Sequence, residues 1–130
     1  MSVKYSIQTH GDVLSDTSRK YSPPSLDAAL STAEKFFVAA KTTNVSGSGS
    51  LSLTVTFELS NDGYNWQARG ATPVINGGTV VAGAATILTG YDDGISNACV
   101  GGRFMRVVAQ LGGTTPGAYV EIWVCGRSLY

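Results

Sequence analysis

Residues 51–59 read LSLTVTFEL and carry the clearest structural signal in the chain. Apolar side chains alternate without a break with Ser, Thr and Glu, which is the two-residue period of a strand buried on one face only. The turn Ser60-Asn61-Asp62-Gly63 follows at once, because Asn and Asp bond to their own backbone and Gly63 accepts a positive φ. Residues 64–67 are then predicted to return as the second strand of a hairpin.

Further strands are predicted on both sides of this hairpin. Residues 36–45 are predicted to form a strand, and the small residues 46–50 are predicted to be a hairpin loop that connects it to residue 51. Two strands near the end, 103–111 and 118–125, are predicted to form a second hairpin through residues 112–117, with Pro116 kept out of the ladder. Between these pairs, Gly77-Gly78 is predicted to be a turn and residues 80–88 a strand.

The first 24 residues are predicted to form an N-terminal arm, distinct from a sandwich domain over residues 25–130. Val3, Tyr5 and Ile7 alternate with polar residues, so this part can add to a sheet edge as a strand. The arm either pairs with a neighbouring subunit or forms the first strand of its own sandwich. After the Pro23-Pro24 break, residues 25–34 have the apolar spacing of one short helix.

Several strands with Gly-rich turns, and no alternation of strands with long helices, predict an all-β fold. The expected architecture is an antiparallel β-sandwich, and a jelly roll is one form of it that fits. The order of the strands does not follow from the pattern.

Composition excludes several classes of function. Net charge is zero and charged residues make up only 14% of the chain, so no basic field is present to bind nucleic acid or an anionic membrane. The N-terminus lacks the apolar segment of a secretory signal, so we expect the chain either to be made inside a cell or to be exported by a route that its sequence does not show. Cys99 and Cys125 are accordingly expected to be free thiols rather than a disulfide.

No cofactor, metal site or enzymatic site is expected. His10 is the only histidine, and no set of metal ligands surrounds it. Asp62, Asp92 and Asp93 precede glycines in ordinary turn sequences. No nucleophile motif, phosphate-binding loop or dinucleotide fingerprint is present.

The final strands suggest an interaction surface. If their aliphatic rows form the core, the opposite rows carry aromatic and charged side chains, and exposed aromatic patches mark interfaces. Arg106 and Glu121 lie on this same outer row and are expected to pair across the hairpin. The expected interface therefore consists of Val3, Tyr5 and Ile7 of the arm with Phe104, Arg106, Val108, Tyr119, Glu121 and Trp123. The alternative reading of the outer row is that another part of the same chain covers it.

Two segments resemble known families. The hairpin FELSNDGYNW (57–66) and the ending GRFMRVVAQLGGTTPGAYVEIWVCG (102–126) are similar to segments of small β-sandwich structural proteins of tailed bacteriophages. They also resemble discoidin-like carbohydrate-binding domains, although the cysteine positions and residues 1–35 depart from that family.

The phage resemblance implies a non-enzymatic virion protein, made in the host cytoplasm, that self-associates and docks on other virion proteins of a capsid or tail. The discoidin-like resemblance implies instead a glycan-binding module. In that alternative, Tyr64, Asn65 and Trp66 would contact the sugar, since an aromatic ring can stack on a sugar ring.

Overall fold

The computed structural model describes residues 3–22, 35–68, 73–92 and 104–129, and the regular structure in these ranges is entirely β-strand. The strands are β1 (Val3–Leu14), β2 (Lys20–Tyr21), β3 (Lys35–Ser60), β4 (Gln67–Ala68), β5 (Ile75–Thr79), β6 (Thr86–Asp92) and β7 (Phe104–Leu129). The predicted all-β class is confirmed. The helix expected over residues 25–34 lies outside the described ranges. Within those ranges, no helix has the length and apolar character to cross a membrane.

The fold is organised by β3 and β7, two long antiparallel strands that both bend in the middle. Residues 35–43 of β3 pair with 119–127 of β7, and residues 52–60 pair with 104–112. The β3 bend holds positive φ angles at Asn44, Gly47 and Gly49, and the β7 bend holds them at Gly113 and Thr115. Each strand therefore contributes its two halves to two different sheets.

We call these the front sheet and the back sheet. The front sheet has the order β1, second half of β7, first half of β3, β6. The back sheet has the order β2, first half of β7, second half of β3, with β4 and β5 sharing the far edge. Two antiparallel four-stranded layers joined in this manner form a jelly roll, one of the expected architectures.

The core lies between the two sheets. The apolar residues of 51–59 are all buried, as are the aliphatic rows of both halves of β7. Phe36 of the front sheet and Phe57 of the back sheet meet with ring centroids 5.3 Å apart. The alternation in the sequence therefore identified the inner faces correctly.

Both predicted long-loop hairpins are wrong in their pairing. Residues 36–45 and 51–59 do not pair with each other, and neither do 104–111 and 118–125. The physical reason is that the small-residue segments bend each strand over the end of the core instead of reversing it within one sheet. The short hairpin is confirmed, although the returning strand begins at Gln67 and not at Tyr64.

The strand predicted over residues 80–88 is also corrected. Thr79 ends β5, residues 82–84 turn, and β6 begins at Thr86. Gly83 has a φ of 77°, which interrupts an extended strand. Gly77-Gly78, predicted as a turn, lies within β5, where the register with β3 shifts between Leu53 and Val55.

The N-terminal residues belong to the sandwich in this structure. All twelve residues of β1 pair with β7 of the same chain, from Val3 opposite Leu129 to Leu14 opposite Ala118. Ser22 continues the pairing of β2: its backbone N–H donates to Val107 O at 2.9 Å, and its hydroxyl accepts from Val107 N at 2.8 Å. This is the second of the two alternatives for the arm, and exchange of β1 between subunits stays a prediction.

Candidate interaction surfaces

The outer face of the front sheet is apolar and exposed. Phe37 is 51% exposed and lies directly opposite Tyr91 of β6, which is 74% exposed. Ile87 and Val13 are 67% and 66% exposed on the flanking strands. Soluble monomers rarely expose contiguous apolar patches beyond a few hundred Å², and larger ones mark interfaces.

Three of the predicted interface residues lie on this same face. Tyr119, Glu121 and Trp123 are half-buried on the second half of β7, between β1 and β3. Tyr119 extends along its own face toward β1: a Cβ placed on Gly11 would stand 2.7 Å from the Tyr119 hydroxyl. Gly11 thus leaves room for the Tyr119 ring, and alanine there would have to displace it.

The centre of the front face carries one charge of each sign. Lys41 of β3 is directly opposite Glu121 of β7, and both are half-buried. The residues next to this pair on the same two strands are uncharged: Ala39 faces Trp123, Thr43 faces Tyr119, and Phe37 faces Cys125. The middle of the face therefore carries one opposite-charge pair among apolar and aromatic residues, and the like-charged register pair Lys35 and Arg127 lies at the end of the two strands.

The remaining predicted interface residues do not share that face. Phe104, Arg106 and Val108 lie on the back sheet, because the bend in β7 separates them from Tyr119, Glu121 and Trp123. Val108 is only 2% exposed and offers no surface. Side chains of Val3, Tyr5 and Ile7 lie outside the described part of the structure, although their backbone is paired with β7.

Arg106 pairs with Glu58 and not with Glu121, which corrects the expected cross-strand pair. Glu58 is its direct neighbour on β3, and the Arg106 Nε donates to Glu58 Oε1 at 2.7 Å. Arg19 Nη2 reaches the other carboxylate oxygen at 3.0 Å. A carboxylate with a side chain only 8% exposed is thereby compensated by two guanidinium groups.

Aromatic rings enclose the Arg106 guanidinium. Its Cζ lies 4.1 Å from the centroid of Tyr21 and 4.3 Å from that of Trp66, distances typical of cation–π contacts. We call Arg19, Tyr21, Glu58, Trp66 and Arg106 the arginine cluster. The arginine cluster connects β2 and the loop after β3 to both long strands. It therefore stabilises the packing of these segments on the outer face of the back sheet.

The loop that carries the alternative glycan residues is held by Asp62. Its Oδ1 accepts from the backbone N–H groups of Tyr64 and Asn65, both at 2.8 Å, and its Oδ2 accepts from Asn65 Nδ2 at 2.7 Å. The hydrogen bond from the Asn65 backbone, followed by that from Tyr64, holds the pKa of Asp62 far below its usual range. Gly63 has the expected positive φ, at 81°.

The three glycan residues differ in accessibility. Tyr64 is 88% exposed at the tip of the loop, and Asn65 is exposed beside it. Trp66 is half-buried, and the Arg106 guanidinium covers part of its ring. The loop therefore presents one free aromatic ring rather than two.

Sequence reasoning missed Phe37, Ile87, Tyr91 and Val13. Phe37 sits in the run FFVAA, whose inner and outer residues are both apolar, so alternation gave no sign that one ring points outward. Tyr91 directly precedes Asp92-Asp93-Gly94, whose sequence is typical of a turn, so it gave no sign of a strand position. The continuous apolar run FFVAA was the signal that could have identified this surface, because such runs are typical of strands with both faces covered.

The remaining titratable groups in the described ranges bear on whether the chain could hold a metal ion. Among the described residues, no group of three or more His, Cys, Asp or Glu side chains is placed to hold a metal ion. Cys125 is a free, half-buried thiol on the front face, and Cys99 lies outside the described ranges. Ser18 holds Asp16 in the loop after β1: its hydroxyl and backbone N–H both bond to the carboxylate and lower its pKa.

Comparison with known proteins gives a likeness in fold. No protein-family model matches the chain, and no curated protein matches it. The CBM22-1 xylan-binding domain from Paenibacillus barcinonensis Xyn10C is similar over 72% of this chain, with a TM-score of 0.51 and 14% identity. This chain spans only 55% of that structure's length.

A second solved structure is similar at a lower level. A pilus protein of Bacillus endospore appendages is similar over 97% of this chain and 90% of its own, with a TM-score of 0.42 and 9% identity. The similarity to the xylan-binding domain supports the β-sandwich fold. The relationship to phage proteins stays a prediction.

Proposed function

We propose that this chain is a non-enzymatic structural protein that self-associates and docks on a larger assembly, the capsid or tail of a bacteriophage. The observation that carries the proposal is the exposed apolar outer face of the front sheet. Phe37, Ile87 and Tyr91 leave more than half of their surface open there, which is typical of a surface that another protein covers.

Composition supports the same function. With 14% charged residues the chain has little charge to keep an isolated subunit soluble, and contact with other subunits would cover the apolar face. The virion as the site of action, and the host cytoplasm as the site of synthesis, rest on the phage resemblance of residues 57–66 and 102–126.

Light scattering coupled to size-exclusion chromatography tests self-association. We expect an oligomer at micromolar concentration, and we expect the double substitution Phe37→Ser with Tyr91→Ser to shift it toward monomer. Both side chains are exposed, so the fold should survive their loss. Tyr64→Ser removes an even more exposed ring elsewhere and is the matched control, which should leave the oligomer unchanged.

Docking is tested by co-sedimentation with purified particles of the phage that encodes the chain. The protein should sediment with the particles, and the double variant should sediment less. A monomer that also stays in the supernatant would contradict both parts of the proposal.

A glycan-binding module is the second candidate, and the exposed Tyr64 ring on a fixed loop favours it. The hydrogen bonds of Asp62 hold the loop in one conformation, which reduces the entropy lost when a sugar stacks on the ring. A glycan array that includes xylan tests it, with Tyr64→Ala as the variant. Binding that Tyr64→Ala abolishes would support the module, and no binding across the array would remove it.

A further inference from the structure

We propose that two copies of this chain pack front face to front face, about a two-fold axis that runs parallel to the strands between β3 and β7. The proposal rests on the self-association proposed above and specifies its geometry. A two-fold interface uses the same surface on both copies, so the surface must be complementary to itself.

The central charge pair meets this requirement, whereas the like-charged register pair Lys35 and Arg127 lies three rows away at the end of the two strands. An axis parallel to the strands and midway between β3 and β7 places β3 of one copy over β7 of the other. Because Lys41 and Glu121 are in register, Lys41 then stands over Glu121 of the partner subunit, and Glu121 over Lys41 of the partner subunit. A two-fold axis perpendicular to the strands, through the row of Lys41 and Glu121, would instead place Lys41 over Lys41 of the partner subunit. Such like-charge contact is unfavourable.

Side-chain sizes around the charges fit the same axis. Each neighbouring register pair joins a bulky residue with a smaller one: Trp123 with Ala39, Tyr119 with Thr43, and Phe37 with Cys125. The parallel axis sets every bulky member over the smaller member of the corresponding pair in the partner subunit. Two sheets with their strands aligned in this way pack about 10 Å apart, with interdigitated side chains.

The exposed flanks extend the same surface. Tyr91 and Ile87 on β6 are carried over β1 of the partner subunit, on the opposite edge of the sheet. Ile87 is 67% exposed and Tyr91 is 74% exposed. Burying these side chains against a second copy would therefore remove a large apolar area from water and stabilise the dimer.

Charge reversal tests the arrangement directly. Lys41→Glu gives a face with two carboxylates, and Glu121→Lys gives a face with two amines. We expect each variant alone to dimerise about tenfold or more weakly than the wild type, since like charges then oppose each other. We expect an equimolar mixture to recover dimers that hold one copy of each, which native mass spectrometry resolves by mass.

Mixing separates contact between chains from contact within one chain. The Lys41–Glu121 neighbours inside a subunit are like-charged in both variants whether or not they are mixed, so only an interface between chains can be rescued by mixing. Tyr64→Ser, away from the front face, is the control and should dimerise as the wild type does. Circular dichroism checks that each variant is folded.

The outcomes distinguish this inference from the self-association on which it rests. Variants that dimerise alone as well as the wild type, or that fail to recover on mixing, overturn the arrangement and leave self-association standing. A wild-type chain that stays monomeric overturns both. If a charge reversal does not fold, Ala39→Trp replaces it: the indole would meet Trp123 of the partner subunit and should abolish the dimer, and an unchanged dimer would overturn the arrangement.

Discussion

Glu58 shows at the scale of one residue how this chain keeps a buried charge. Its side chain is 8% exposed and is bonded by Arg106, itself 20% exposed, and by Arg19, which is 43% exposed. Burial of the Glu58 carboxylate costs desolvation energy. The positive charges and the hydrogen bonds of the two arginines offset that cost. Arg19 is solvated, so its own share of this stabilisation is small.

We therefore expect Glu58→Gln to lower the free energy of unfolding by about 2–4 kcal/mol, because it leaves two guanidinium groups without a counter-charge. Arg19→Gln, the matched exposed change, should cost less than about 1 kcal/mol. Urea unfolding followed by tryptophan fluorescence measures both, since Trp66 contacts Arg106. Equal losses in the two variants would contradict a dominant role for the buried carboxylate.

Asp62 gives a prediction about pH at the same scale. Its pKa is depressed in the folded chain, so its stabilising effect is fully present above the unfolded value of about 3.8. That effect decreases below this value and is lost as the pH falls through the folded pKa. Carboxyl carbon NMR should show Asp62 titrating well below the ordinary aspartate value of 3.8, and the Tyr64 and Asn65 amide signals should move with it. An ordinary midpoint would mean that the loop hydrogen bonds are absent in solution.

At the scale of an element, the bends of β3 and β7 decide which residues share a sheet. Gly113 has a φ of 121°, and a Cβ there would stand 2.7 Å from Leu51 Cδ2 and 3.3 Å from the Ser48 carbonyl oxygen. The two bends thus touch each other, and Gly113 is the point at which neither the backbone angle nor the space accepts a side chain.

We expect Gly113→Ala to destabilise the fold by about 2–4 kcal/mol, the combined effect of backbone strain and overpacking. Gly83→Ala separates the two causes, because Gly83 has a φ of 77° with no atom within 4 Å of the added Cβ. It should cost only about 1–2 kcal/mol. Thermal unfolding by circular dichroism measures the difference, and equal losses would show that the contact with Leu51 is unimportant.

At the scale of the whole molecule, β1 closes the edge of β7 on the front sheet. Its ladder runs over twelve residues, and the exposed residues 15–19 connect it to β2. A strand attached in this way can occupy the same edge in its own chain or in a neighbour. The sequence raised these two alternatives, and the structure contains the pairing within one chain.

Deletion of residues 1–14 should therefore lower stability and expose the edge of β7, where other strands can pair. A synthetic peptide of residues 1–14 added to the truncated protein should restore its melting temperature, because the ladder can form in trans. A peptide with Ile7 and Leu14 both replaced by Asp is the control. A truncated protein as stable as the full chain would show that β1 contributes nothing to the fold.

The sequence by itself determined the class of the fold and the inner faces of the long strands. Alternation of apolar and polar residues is a local property, and residues 51–59 and the rows of β7 are buried as it requires. The Ser60–Gly63 turn was predictable for the same reason, since its hydrogen bonds join residues at most a few positions apart. The same patterns singled out Tyr64, Glu121 and Trp123, whose roles in binding stay predictions.

Only the tertiary structure decided which segments pair. A run such as SGSGS is compatible with a hairpin loop and with a bend, and the difference depends on whether the strands on either side find partners in each other or in a distant segment. Here residues 35–60 pair with residues 104–127, so the ladder joins positions far apart in the chain. That pairing divided the predicted interface between two sheets, gave Arg106 the partner Glu58, and brought Phe37 and Tyr91 together on the front face. Such contacts depend on the burial of both sheets at once, which no local pattern records.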